Sequence, residues 1–97
     1  MKFEWDENKN QKNIKKHQVS FDEAKTVFYD NNALYEYDDD HSVTEERFKI
    51  IGISYKERLL IVCHCVKEKD IIRIFSARVA DADEKVMYYD AIGGKRW

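Results

Sequence analysis

The chain contains no proline, no internal repeat and no low-complexity stretch, so nothing in its composition marks a linker between domains. At 97 residues it reads as one domain, close to the lower limit for burying a self-sufficient core. Long apolar runs are also missing. None approaches the roughly 18 residues that a membrane helix needs, and the N-terminal "MKFEWDENKN" has no apolar signal-peptide core. A cytoplasmic protein without a membrane partner is therefore expected. Cysteine is scarce: Cys63 and Cys65 stand at i and i+2 of an apolar run. In a strand such residues point the same way with their backbones held apart, so reduced thiols are expected.

What is present is a globular composition, 43% hydrophobic, with an uneven charge pattern. The net charge is −2, yet residues 30–46 carry seven acids and no Lys or Arg, whereas residues 47–78 carry eight Lys/Arg against three acids. Such a split suggests a specific basic surface that the overall charge conceals; the bland alternative is solvated charge on both segments.

Asp6 is placed to cap a polar helix over residues 7–17, whose one large apolar residue is Ile14; that helix must lean on neighbours. Ser20 and Glu23 form a capping-box pattern, followed by Phe21, Ala24, Val27 and Phe28 on one helical face. Residues 33–38, 47–55, 59–66 and 71–79 then read as four strands, a short helix is predicted around 83–90, and residues 91–97 form a tail. The short connections "KER" and "KEKD" predict an antiparallel meander of the last three strands.

The last strand, "IIRIFSARV", spends two guanidiniums inside an apolar run. A four-residue loop at 67–70 pairs Val66 with Ile71 and sets His64 opposite Arg73; a turn centred on Lys56-Glu57 sets Lys49 opposite His64. Alternation then gives one face with Arg47, Lys49, His64 and Arg73, and an apolar face with Phe48, Ile50, Ile61, Cys63, Cys65, Ile72 and Ile74 for the helices. Arg78 has the opposite parity to Arg73. It either leaves at the sheet edge or is turned onto the cationic face by a bulge at Ser76–Ala77.

A row of Lys, His and Arg repels itself unless an anion binds, and the guanidinium fork fits phosphate. With histidine to move protons near its ordinary pKa of about 6.5, such a row suits metal-free RNA cleavage by the 2′-hydroxyl. Tyr55 and Phe75 offer faces for unpaired bases. The plainer readings are a hydrogen-bonded structural His64, a solvated acidic loop at "DDDH" (38–41), and charge at a helix C-terminus for Lys15, Lys16 and His17. "CHC" (63–65) does not make a zinc site, since alternation sends His64 away from both thiols. No metal or other cofactor is expected.

Eight motifs in order, "FEWDENK" (3–9), "KHQVSFDEA" (16–24), "VFYD" (27–30), "DDDHS" (38–42), "EERF" (45–48), "RLLIVCH" (58–64), "IRIFSAR" (72–78) and "DEKVMYY" (83–89), resemble the BrnT-type toxins of bacterial type II toxin–antitoxin systems. The resemblance implies a single RelE-like α+β domain over residues 1–90, with two N-terminal helices packed on an antiparallel four-stranded sheet and a short C-terminal helix. It implies an endoribonuclease that arrests growth by cutting RNA, and that touches DNA only through a cognate DNA-binding antitoxin. Carried over to this sequence, His64, Arg73, Arg78 and, as alternative base, Glu46 become the expected catalytic residues. Arg47, Lys49, Lys16, His17 and Tyr88 become the expected RNA-binding residues. The rival expectation is a non-enzymatic module of the same fold that binds another protein, such as a gyrase-type target.

Overall fold

A computed structural model describes residues 1–93 of the chain; of the expected tail, residues 94–97 lie outside the described residues. The elements run β1 (Lys2–Glu4), α1 (Glu7–His17), α2 (Phe21–Ala24) with a 3₁₀ turn at Lys25–Tyr29, β2 (Leu34–Tyr37), β3 (Phe48–Ile53), β4 (Leu59–Lys67), β5 (Ile71–Val79) and α3 (Ala82–Ala91). The sheet has five strands rather than four, in the order β1-β5-β4-β3-β2. The N-terminal "KFE" supplies the extra strand: β1 lies parallel to β5, pairing Lys2, Phe3 and Glu4 with Ile71, Ile72 and Arg73. The other three pairings are antiparallel. No helix among the described residues is long and apolar enough to cross a membrane.

Asp6 caps α1 by accepting from the Asn8 and Lys9 amides at 2.8 and 3.2 Å, as its position predicts. Having little apolar surface, α1 docks through buried amides instead. The Asn10 side chain accepts from the Phe21 N–H at 2.9 Å. The Asn13 side chain donates to the Val19 and Ala77 carbonyls, both at 2.8 Å, and accepts from the Ala77 N–H at 3.1 Å. Only half of the predicted capping box forms at α2. Ser20 accepts from the Glu23 N–H, but the buried Glu23 carboxylate turns to Arg58 and to the Ser54 hydroxyl. Burial pushes its pKa up; those hydrogen bonds outweigh burial and hold it below the usual carboxylate value.

Phe21, Ala24, Val27 and Phe28 pack on one face of the sheet against Ile50, Leu60, Val62, Ile72, Ile74 and Ala77. Gly52 permits this approach, because a Cβ there would lie 3.1 Å from the Val27 carbonyl oxygen and 3.2 Å from the Val27 Cβ. On the other face, α3 covers only one end, where Tyr88 joins Ile51, Leu59, Ile61 and Ala80.

The register differs from the predicted one at both loops of the meander. Ser54 and Arg58 close the first loop (Ser54 N–H to the Arg58 carbonyl, 2.9 Å), leaving Tyr55, Lys56 and Glu57 between them. Glu57 takes a left-handed φ of 60°, the usual requirement of a three-residue hairpin loop. In the second loop Lys67 pairs with Ile71, and Lys69 and Asp70 take φ of 62° and 60°. Each loop is one residue different in length from the expected one, and both shifts fall on β4. Phe48 rather than Lys49 therefore opposes His64, and Cys65 rather than His64 opposes Arg73. The faces of β3 and of the first half of β5 follow the prediction, whereas β4 is turned over.

Candidate active site

Arg73 and Arg78 have opposite parity in sequence, yet both belong to the face away from α2. The pairing jumps from His64–Ile74 to Cys63–Ser76, which leaves Phe75 as the extra residue of a β-bulge. The bulge sits one residue before the expected Ser76–Ala77 and gives the second of the two placements expected for Arg78: from Ser76 onward the strand shows even-numbered side chains on this face. Arg78 then lies across from Ile61, in the row next to Lys49–Cys63–Ser76. Its guanidinium is held by both oxygens of Glu84, at 2.7 and 2.8 Å. These hydrogen bonds raise the Arg78 pKa against the effect of burial and lower that of Glu84. Glu84 also accepts from the Asp81 N–H at 2.9 Å, closing the capping box of α3.

Beside Arg78 the open part of the sheet forms a cleft of about 380 Å³, lined by Lys16, His17, His41, Lys49, Ile61, Cys63, Ser76, Ala77 and Arg78. Three elements supply its basic side chains. The C-terminal turn of α1 brings Lys16 and His17, β3 brings Lys49 and β5 brings Arg78. The loop after β2 adds His41, whose Nδ1 lies 2.9 Å from Oδ2 of the buried Asp38. A carboxylate can only accept, so Nδ1 carries the proton and Nε2 is left as the basic nitrogen. Ser42 pins this loop by donating to the Asp38 carbonyl at 2.7 Å and accepting from the Arg47 N–H at 2.9 Å. Chemically, the cleft offers an oriented imidazole, a second imidazole and three cations around one space.

Four of the expected site residues, Lys16, His17, Lys49 and Arg78, therefore meet in one place. The expected row of Lys49, His64 and Arg73 does not form. His64 is 1% exposed on the helix-covered face. Its ring stands edge-on to Phe28 at 4.8 Å, with Nδ1 3.2 Å from the Val62 carbonyl. Burial lowers its pKa, so the ring stays neutral at neutral pH. Arg73 shares the cleft's face but lies farther along β5, donating to Glu4 at 2.8 Å. Glu46 is exposed on the loop before β3 and is not among the residues lining the cleft. Arg47 stacks on Phe75. Tyr88 is buried and donates to Asp30 Oδ2 at 2.6 Å. Two residues of this site, His41 and Asp38, were not expected. The signal for them was present in "DDDHS": an Asp three residues before a His can reach its ring within one tight turn.

A model of the BrnT family, described as the ribonuclease toxin of a type II toxin–antitoxin system, matches residues 5–84. The chain belongs to this family. The match spans every residue that lines the cleft, as well as Asp38 and Glu84. Among solved structures, the chain is similar to the Brucella abortus ribonuclease toxin, BrnT, with a TM-score of 0.64 and 24% identity over 84% of this chain and 97% of that one. No curated protein matches the chain. The BrnT-like fold is thus α+β, with three helices and a five-stranded mixed sheet. Membership of a type II system brings with it a cognate antitoxin as partner.

Proposed function

We propose that this BrnT-family chain is a metal-independent endoribonuclease whose single toxin domain, residues 1–90, arrests growth in the cytoplasm by cutting RNA. A cognate DNA-binding antitoxin neutralises it, so contact with DNA is indirect. The observation that carries this reading is the cleft in which the His41–Asp38 pair adjoins Lys16, His17, Lys49 and Arg78.

The side chains supply each role that 2′-hydroxyl attack requires. Nε2 of His41 takes the 2′-hydroxyl proton, and the 2′-oxygen bonds to the adjacent phosphorus while the bond from phosphorus to the 5′-oxygen breaks. His17 donates a proton to that leaving oxygen. The products are a 2′,3′-cyclic phosphate and a free 5′-hydroxyl. Arg78 and Lys49 stabilise the charge that grows on the phosphoryl oxygens, where preorganised donors act most strongly. Lys16 holds a neighbouring phosphate. Proton transfer is thus assigned to His41 rather than to the buried His64, and Arg73 lies outside the reacting centre.

The test is cleavage of labelled single-stranded RNA by the purified protein in EDTA. The expected product ends in a 2′,3′-cyclic phosphate or 3′-phosphate, and a 2′-O-methyl group at the cut nucleotide blocks the reaction. Intact RNA, with or without ribosomes, in a protein that still arrests cells would replace this reading by binding to a protein target. A 3′-hydroxyl product would exclude attack by the 2′-oxygen.

A further inference from the structure

The bulge that turns Arg78 into the cleft also projects Phe75, the residue immediately before Ser76 of the cleft wall, from the same face of the sheet. The Arg47 guanidinium carbon lies 3.7 Å from the centre of the Phe75 ring. That distance is one of van der Waals stacking, well inside the roughly 6 Å at which a cation–π contact is still felt. One side of the Arg47 guanidinium is fixed by Glu45, through Nε at 3.4 Å and Nη2 at 3.2 Å. The Lys9 ammonium of α1 lies 5.5 Å from the same ring. The Arg47 side chain remains 25% exposed. A flat cation is therefore held in a set orientation beside the cleft, on an aromatic floor that Lys9 also approaches.

We propose that this stack is a nucleobase subsite, in which an unpaired base flanking the cut phosphate lies on the Arg47 plane opposite Phe75. A guanidinium serves this purpose where an ammonium does not, because it is planar and weakly hydrated and stacks on π-faces, whereas Lys is a compact, strongly hydrated charge. Such a subsite selects single-stranded over duplex RNA, since a paired base is not free to stack on a side chain. It assigns Arg47 to a base rather than to a phosphate. The inference rests on RNA being the substrate, as proposed above.

The experiment measures binding of a fully 2′-O-methylated oligonucleotide, which keeps bases and phosphates but cannot be cut. A parallel set carries one abasic position moved along the strand. Arg47→Lys preserves charge and removes the plane. It is expected to weaken binding of the intact strand on the order of tenfold or more, with the salt dependence unchanged because no charge is lost. One abasic position should weaken wild-type binding by a similar factor, and on that strand Arg47→Lys should cost nothing further. Phe75→Leu, which removes the aromatic floor while keeping an apolar side chain, should give the same pattern, with thermal melts confirming folded protein. Arg47→Lys binding like wild type, or losing the same factor on every abasic strand, would overturn the subsite. If the wild-type protein neither cuts RNA nor binds the uncut strand, the ribonuclease reading falls and the subsite with it. A protein that cuts RNA yet is indifferent to Arg47→Lys defeats the subsite alone.

Discussion

His64 and His41 lie on opposite sides of one sheet and meet opposite surroundings. His64 is 1% exposed and packs edge-on under Phe28, with a backbone carbonyl for its Nδ1, and burial lowers its pKa. His41 stands at a cleft, its Nδ1 tied to a buried carboxylate. The same ring is a packing element in one place and an oriented base in the other. What separates them is the partner of Nδ1 and the degree of burial, neither of which is a property of the residue type. Arg73 and Arg78 repeat the lesson on a single strand. Arg73 answers Glu4 of β1, and Arg78 answers Glu84 of α3 beside the cleft.

The largest expected effect tests the histidines directly. His41→Ala should slow cleavage by about 10²–10⁴-fold, the usual worth of a general base. The variant should melt at a lower temperature, because the buried Asp38 carboxylate loses its partner, but still be folded at the assay temperature. His64→Leu should cut RNA at close to the wild-type rate. The reverse ranking, measured under single-turnover conditions, would return the chemistry to the covered face.

Among the arginines, Arg78→Ala should lose about 10²–10³ in rate, as removal of a transition-state donor does. Its partly exposed pair with Glu84 should contribute less than about 1 kcal/mol to stability. Arg73→Ala should fall well short of that rate loss. Equal losses from the two would mean that the reacting phosphate lies between them rather than at the cleft.

A smaller effect separates the histidines by pH. Because the folded-state pKa of His64 is depressed below its ordinary 6.5, the unfolded chain binds more protons as pH falls. Stability from this site is full above about pH 6.5 and declines below it, until the folded pKa is reached. Urea melts at pH 7.5 and 5.5 should show that decline, and it should be shallower in His64→Leu. Smallest of all, Glu57→Gly should raise stability by about 0.5–1 kcal/mol in the same melts, since a left-handed φ strains any residue with a Cβ. An unchanged midpoint would mean that the loop closing β3 onto β4 carries no such strain.

The sequence carries the meander, the helix caps and the core faces of β3 and β5 because their apolar residues alternate with polar ones. It does not carry the orientation of β4. "LLIVCHCV" is apolar at nearly every position and buried on both faces along most of its length, so its pattern cannot say which side is which. The loops that decide the matter use Glu57, Lys69 and Asp70 at positive φ, where glycine or asparagine would have announced the turn. One strand turned over was enough to exchange His64 for Cys63 beside Lys49. The site was legible in part for the same reason: Lys49 lies on a strand whose face was readable and Lys16 and His17 at a helix end, whereas the placement of Arg78 stayed open until the bulge in β5 decided it. "DDDHS" reads as solvated charge until the burial of Asp38 is known.

The Asn13 amide has a further consequence, for how the molecule can associate. Beyond Arg73, β5 has outrun the three residues of β1, and such an unpaired border would be a template for another chain's backbone. Asn13 donates to and accepts from Ala77 there, so a single side chain does the work of a missing strand and blocks that border. At the opposite end of the sheet no strand flanks the outer side of β2 among the described residues. The sheet's remaining borders are the outer sides of the three-residue β1 and of β2, and β2 offers the longer one to an added peptide, beside the exposed Tyr35 and Tyr37.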